Sequence, residues 1–281
     1  MIPDPQVLVG GVFLGALYGL SAMGFQLIMG TTGQVYLAYG HMWVAAALAV
    51  PGLLAMGFLP LPLVLVLLAA AGWAIGWWGH PGALWRGKGP SHGRRFFLIT
   101  LGLALIVEDV GARLWPLPST AFTWAPPPVE WGSVTIPPVK ALVLLLVATT
   151  AALLHAGLHR SRWGRALRAW DRGAGPIWVA GVDPRRLGRL SLGTGLAVAG
   201  AAGFFLSLSY TAAIQEGLAM TMRCLVVAVL AGRLSPWRVL AAGLGLGLGE
   251  ALTAHWLGSQ WAPLLGYLLL LALGPLRRQP S

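Results

Sequence analysis

Long apolar segments, separated by short polar ones, follow one another through almost the whole chain. A helix needs about 20 mostly apolar residues to cross a hydrocarbon core of roughly 30 Å. Several segments are short or rich in Gly and Pro, so the pattern predicts an all-α polytopic membrane protein with about eight to ten transmembrane or re-entrant helices. The candidate spans are residues 7–30, 35–58, 60–79, 96–115, 139–158, 191–210, 218–233, 237–256 and 261–276.

The second segment differs from the others. Residues 35–58 carry Pro51 and two central glycines, Gly40 and Gly52, in a mostly apolar stretch. Irregular backbone is tolerated at membrane depth only where protein or a water-filled cavity covers it. This segment is therefore a candidate for a broken or re-entrant helix.

In a transmembrane topology with nine spans, nearly all basic residues fall on one side of the membrane. With the 159–190 loop in the cytoplasm, every Lys and Arg except Arg113, Lys140 and Arg223 lies at the cytoplasmic side. The opposite connection, residues 119–138, is rich in Pro and carries one acid and no base. Because basic residues are retained beside the cytoplasmic face of a membrane, the N-terminus is expected outside and the C-terminus inside.

Composition agrees with this interpretation. The chain is 57% hydrophobic and 10% charged, with a mean hydropathy of +0.74, which leaves too little polar surface to cover a soluble globule. The net charge of +11 is explained by topology, so no nucleic-acid partner is predicted. The single cysteine, Cys224, cannot form an internal disulfide, and the opening "MIPDPQ" lacks the basic start of a cleaved signal peptide.

No motif supports catalysis. Residues 82–89, "GALWRGKG", have the spacing of a phosphate-binding loop, but Gly89 replaces the required Ser or Thr and no strand precedes them. His155 and His159 are four residues apart, yet zinc needs further ligands and no Cys or acid lies nearby in sequence. We therefore predict that the chain is no enzyme and has no catalytic, cofactor or metal site of its own.

Charged residues within the spans are few. Asp109 and Arg113 have the i, i+4 spacing of a helical ion pair. Glu250 is isolated in "GLGLGLGEALTAHW", whose glycines favour close helix packing over dinucleotide binding. It is either a buried carboxylate bonded to a neighbouring helix or part of a transport pathway. Glu216 and Arg223 are interpreted as flanking the outer start of a helix.

Residues 159–190 form the least apolar stretch of the chain. Apolar side chains recur there at helical spacing, and arginines populate the other faces, which predicts one or two short amphipathic helices. Such a helix can lie on anionic lipid or dock in a groove of a partner protein. The apolar positions are Trp163, Ala166, Leu167 and Trp170, and the arginines are Arg162, Arg165, Arg168 and Arg172.

Four stretches, in order, resemble the inner-membrane permease subunits of ATP-binding-cassette importers of the branched-chain amino acid type. Residues 10–40 resemble the first helix of that family, with its G-x-x-x-G-x-x-Y-x-L pattern, and residues 164–187 its G-R-x-x-R-A cytoplasmic loop. Residues 192–205 resemble the Ala/Gly-rich helix after that loop, and residues 243–252 the G-x-x-x-G-x-x-E-A segment. The chain departs from the family pattern at "LAGRLSP", at "GPLRRQP" and at Tyr36, which stands near an expected Asn.

The resemblance implies an importer-permease fold, as a single transmembrane domain over residues 1–281 of a multi-pass protein in the bacterial inner membrane. It implies a second permease subunit in a heterodimer, two cytoplasmic subunits that bind the ATP, and an extracytoplasmic solute-binding protein. The implied cargo is a branched-chain or other small amino acid. Urea or a short amide is the alternative within the family, and a self-contained secondary transporter is the alternative outside it.

The resemblance also assigns residues. A coupling loop at about 159–190 engages the ATPase through residues 162–183, at positions that match the family motif or, for Trp170, supply an apolar anchor. Four further residues, which the resemblance does not itself assign, are candidates for the pathway or for helix packing. The coupling positions are Gly164, Arg165, Arg168, Ala169, Trp170 and Gly181, and the others are Tyr18, Tyr36, Gly40 and Glu250.

Overall fold

A computed structural model describes residues 5–57, 59–78, 90–116, 129–131, 134–171, 183–232 and 234–273. Within them the protein forms ten α-helices and one antiparallel hairpin, in which β1 (Val129–Trp131) pairs with β2 (Val134–Ile136). The hairpin lies in the Pro-rich connection, for which the apolar pattern predicts no element. The helices are α1 (Pro5–Thr32), α2 (Tyr39–Ala55), α3 (Leu61–Trp78), α4 (Pro90–Leu114), α5 (Pro138–Arg160), α6 (Arg162–Asp171), α7 (Pro184–Ser207), α8 (Gly217–Ala231), α9 (Pro236–Leu257) and α10 (Ala262–Leu273).

The all-α polytopic membrane fold is confirmed. Each of the nine apolar segments contains a helix, and α6 is the amphipathic helix predicted after residue 159. Five stretches of the described chain are long and apolar enough to cross a membrane, namely α1, α3, α5, α7 and Ile214–Ala231, which joins a 3-10 turn to α8. Large apolar side chains stay exposed on α3, α4, α5 and α10, a surface that suits lipid or another apolar helix.

Helices α1 and α9 pack with their backbones in contact. Gly15 of α1 lies so close to α9 that a Cβ on it would come within 2.7 Å of the Gly243 carbonyl oxygen. A Cβ on Gly247 would overlap backbone atoms of Gly15. Small residues permit such approach, and the dispersion contacts between backbones help to hold helices together in lipid. The "GLGLGLGE" segment thus serves helix packing, as its composition predicts.

Helix α7 is enclosed by three other helices and uses a glycine against each. Gly195 faces the backbone of α1 at Gly24, Gly203 faces the Trp43 carbonyl of α2, and Gly200 faces the Leu68 carbonyl of α3. A side chain at any of these positions would meet backbone atoms of the neighbour. The Ala/Gly-rich composition of residues 192–205 therefore follows from the central position of α7.

Helix α2 begins inside the bundle, and the middle of α8 packs against the same part of α1. The Tyr39 hydroxyl, at the start of α2, donates to the Ser21 carbonyl at 2.7 Å, and the Cys224 thiol of α8 donates to the Ser21 hydroxyl at 3.4 Å. Ser21 lies in the middle third of α1. With 17 and 15 residues, α2 and α8 are shorter than the about 20 residues of a full span. The break expected in residues 35–58 lies before Tyr39, whereas Pro51 is accommodated inside α2.

Candidate functional site

A tight elbow joins α5 to α6. The Ser161 hydroxyl donates to the Gly157 carbonyl at 2.5 Å and accepts from the Gly164 N–H at 2.9 Å. A Cβ on Gly164 would overlap the backbone of Leu158. Gly164, which the family resemblance assigns to ATPase coupling, is therefore required by this turn within the chain itself.

The apolar face of α6 is turned toward the bundle. Leu167 is fully buried in a cluster with Leu27 of α1, Leu158 of α5, Leu187 of α7 and Leu234, which lies just before α9. Trp163, Ala166 and Trp170 are partly buried against the same cluster. The apolar face of this amphipathic helix thus has a partner inside the chain. Trp170 in particular packs on its own chain, a contact that its assignment as an anchor in a partner groove did not foresee.

The opposite face of α6 carries the arginines. Arg162 and Arg165 are exposed, and Arg168 and Ala169 are half-buried beside them. The Arg165 Nη1 donates to the carbonyl of Arg160 at 3.1 Å, which holds its stem along the helix start. Of the assigned coupling positions, Arg165, Arg168 and Ala169 share this outer side, while Gly181 lies outside the described residues.

A buried charged cluster lies between α1, α8 and α9. Oε2 of Glu250 accepts from the Tyr18 hydroxyl at 3.0 Å, and Oε1 accepts from Nε of Arg223 at 3.2 Å. The Arg223 guanidinium also lies over the Tyr18 ring, 5.4 Å from its centroid. The side chain of Glu250 is 5% exposed and that of Arg223 is 20% exposed. The structure thus brings together two of the residues assigned from the sequence, Tyr18 and Glu250, and adds Arg223.

Arg223 is the residue that sequence reasoning missed. Glu250 looked isolated because its partner is 27 residues away on another helix, where helical periodicity is uninformative. An available signal was the occurrence of a base and an acid, Arg223 and Glu250, well inside two successive spans. A charge at the bilayer centre costs about 2.5 to 3.5 kcal/mol on insertion scales, so two such charges are expected to pair. The interpretation of Arg223 as only flanking a helix start was therefore incomplete.

The other two assigned residues, Tyr36 and Gly40, lie in or near the start of α2. Tyr36 is fully buried, with its ring edge-on to Phe96 of α4 at 6.2 Å between centroids. Gly40 donates its N–H to the Thr221 hydroxyl at 2.9 Å, and a Cβ on it would overlap the Gly217 carbonyl of α8. Both residues therefore pack helices together at the junction of α2 with α4 and α8.

Further charged groups lie on α4. The i, i+4 pair predicted from the sequence is confirmed, with Arg113 Nη2 at 3.0 Å from Asp109 Oδ2. Glu108 has a partner that the sequence did not indicate, the buried His41 of α2, whose Nε2 lies 3.3 Å from its Oε2. Among the described residues no group of three or more His, Cys, Asp or Glu side chains is placed to hold a metal ion.

Replacing Glu250 should reveal how much the buried cluster contributes to stability. Glu250→Leu leaves Arg223 and the Tyr18 hydroxyl without their acceptor, so we expect the free energy of unfolding in detergent to fall by about 2.5 to 3.5 kcal/mol. Glu250→Gln retains an acceptor and should cost on the order of 1 kcal/mol. Asp109→Ala, which breaks an exposed pair, is the matched control and should change stability by less than about 1 kcal/mol. Equal effects of Glu250→Leu and Asp109→Ala would contradict this account.

The described helices form a glycine-packed apolar bundle, and the short basic helix α6 is docked on it. The chain belongs to the family of permease components of branched-chain amino acid transport systems, whose family model matches residues 7–274. The resemblance found in the sequence is thereby confirmed, and the family is one of transport proteins and not of enzymes.

Curated relatives match along nearly the whole chain. The high-affinity branched-chain amino acid transport system permease protein LivH of Escherichia coli K12 is 26% identical over 288 residues, covering 95% of this chain and 91% of the relative. LivH of Salmonella typhimurium is 25% identical over 288 residues, and the branched-chain amino acid permease protein BraD of Pseudomonas aeruginosa is 24% identical over 281 residues. Both matches cover 95% of this chain and 91% of the relative. No solved structure matches the chain.

Proposed function

We propose that the chain is the membrane-spanning subunit of an ATP-driven importer for branched-chain or other small amino acids. The observation that carries the proposal is the position of α6, which is fixed to the bundle through Leu167 while its arginine-bearing face stays open. The names of the relatives supply the cargo class. In this proposal the chain works with a second permease subunit in a heterodimer, two cytoplasmic subunits that bind ATP, and an extracytoplasmic solute-binding protein.

The contacts of α6 suggest how a movement of the ATP-binding subunit would be transmitted to the transmembrane helices. The elbow at Ser161 and Gly164 ties α6 to α5, and the leucine cluster ties it to α1, α7 and the residues before α9. Packed side chains transmit displacement because they are dense and hard to compress. A push on the outer face of α6 by an ATP-binding subunit would therefore move several helices together.

Copurification tests the proposal. The chain, expressed with a tag in its native host, should bring down a cytoplasmic ATP-binding subunit and an extracytoplasmic solute-binding protein. Transport by the purified chain without any ATP-binding subunit would instead support a self-contained secondary transporter. Finding neither partner in a stable, membrane-extracted preparation would contradict the proposal.

The orientation of the chain gives a separate prediction. Because nearly all basic residues lie on one side of the membrane in the proposed topology, Ser259→Cys, between α9 and α10, should react with an impermeant thiol reagent added to intact cells. Arg162→Cys, at the start of α6, should react only after the membrane is opened. Both positions are exposed, and both variants are made in a Cys224→Ser background. Labelling of Arg162→Cys in intact cells would contradict the proposed topology, because it would place α6 outside the cell.

A further inference from the structure

Arg223 uses only part of its guanidinium inside the chain. Its Nε donates to Glu250, and its Nη1 reaches the Met220 sulfur at 3.6 Å, which is a weak acceptor. Among the described residues Nη2 makes no hydrogen bond, and the side chain is 20% exposed. Arginine carries its N–H donors in a planar fork, so the Nη edge is left available for a further partner.

The orientation of this fork is fixed from two sides. Glu250 holds the Nε edge at 3.2 Å, and Cζ of the guanidinium lies over the Tyr18 ring, 5.4 Å from its centroid. Tyr18 is itself held, because its hydroxyl donates to the same carboxylate and its ring meets Trp43 edge-on. Glu250 and Tyr18 are therefore positioning residues, and a fork held in this way is preorganised for binding.

Joining helices does not by itself account for the cluster. Helix α8, which carries Arg223, is already joined to its neighbours without this cluster. The Cys224 thiol donates to the Ser21 hydroxyl of α1 at 3.4 Å, and the Thr221 hydroxyl donates to the Leu37 carbonyl just before α2 at 3.0 Å. Hydrogen bonds between membrane helices average only about 0.6 kcal/mol, while burying a charge there costs several times more. A largely buried arginine with one edge open thus indicates a ligand of complementary charge.

We propose that the Nη edge of Arg223 binds the carboxylate of the cargo as it crosses the membrane. This inference rests on the proposed function and adds to it the group of the cargo that the permease recognises. A planar guanidinium matches a carboxylate through two parallel N–H···O bonds, whereas urea and short amides offer a neutral carbonyl in its place. Arg223 therefore selects amino acids against the amide cargo that the sequence left open.

Arg223→Lys tests the inference in the assembled importer. Lysine keeps the positive charge for Glu250 but lacks the planar fork. The complete complex is placed in proteoliposomes with its leucine-loaded binding protein, and leucine uptake per ATP hydrolysed is measured. We expect this ratio to fall at least about tenfold in Arg223→Lys, while the stimulation of hydrolysis by the binding protein is retained. Arg238→Lys, at an exposed position of α9, is the matched control and should change neither quantity.

Each other outcome is decisive. A normal ratio in Arg223→Lys overturns the inference and leaves the proposed function intact, whereas absence of ATP-dependent uptake by the wild-type complex overturns the proposed function. If the Arg223→Lys complex fails to assemble, a second measurement tests the inference. The affinities of L-leucine and L-leucinamide are then measured for the wild-type complex in nanodiscs, without the binding protein. L-leucine should then bind at least about tenfold more tightly than L-leucinamide, which lacks the carboxylate. Equal binding, or no binding of either compound, overturns the inference.

Discussion

Arg165→Ala is expected to abolish the stimulation of ATP hydrolysis by the loaded solute-binding protein, with a fall of at least about tenfold. Arg165 is exposed on the outer face of α6, and among the described residues its guanidinium bonds to the carbonyl of Arg160, the last residue of α5. Its loss removes a charge from the proposed contact with the ATP-binding subunit without disturbing the buried leucine cluster. Membrane insertion and permease assembly should therefore be unchanged. Arg95→Ala, at an exposed arginine of α4 outside the 159–190 loop, is the matched control and should leave ATP hydrolysis normal.

Ala169→Trp probes the same face by bulk instead of charge. Ala169 is half-buried beside the arginines, so a large side chain there should hold a docked protein away and abolish stimulation as Arg165→Ala does. A lipid surface would accept the tryptophan and would also accept Arg165→Lys, because it responds to total charge and apolar area. Normal stimulation in both Arg165→Ala and Ala169→Trp would exclude this face as the contact with the ATP-binding subunit.

Gly247→Leu is expected to prevent the bundle from assembling. A Cβ at this position already overlaps the backbone of Gly15, and a backbone cannot move aside as a flexible side chain does. Inserting methylenes into a close-packed interior costs about 1 to 3 kcal/mol even where side chains can shift, so the cost here should exceed that range. The yield of monodisperse protein extracted from the membrane is the measurement, and we expect it to be lost.

Gly245→Leu provides the control for this prediction. Gly245 lies on the same helix, two residues away, and a Cβ on it meets no atom within 4 Å. The two variants have equal hydrophobicity and an equal change in helix propensity, so a difference in yield isolates the contact with α1. Equal yields from Gly247→Leu and Gly245→Leu would show that α1 and α9 are not packed through their glycines.

The amphipathic pattern of residues 162–171 predicted α6 but not its partner. Periodicity identifies a helix face that must be buried, but it does not say against what. Lipid, another protein or the rest of the same chain would each bury that face equally well. Only the packing of Leu167 on Leu27 and Leu187 decides for the chain itself. The same contact moves Trp170 to the inner side and leaves Arg165 and Ala169 on the outer one.

The charged residues show where sequence reasoning stops. Asp109 and Arg113 were predictable as a pair because they are one helical turn apart. Arg223 and Glu250 lie on different helices, and His41 and Glu108 are 67 residues apart, so no local spacing reports either pair. The start of α2 inside the bundle is likewise set by tertiary hydrogen bonds of Tyr39 and Gly40, which a hydropathy pattern does not contain.

Accumulation of leucine inside proteoliposomes tests the central claim most directly. The vesicles carry this chain with its second permease subunit and two ATP-binding subunits, with loaded binding protein on one side and ATP on the other. The account predicts that leucine accumulates against its gradient only when ATP is present, and that Arg165→Ala stops this accumulation while the complex remains assembled. Accumulation that continues without ATP or without the ATP-binding subunits would contradict it.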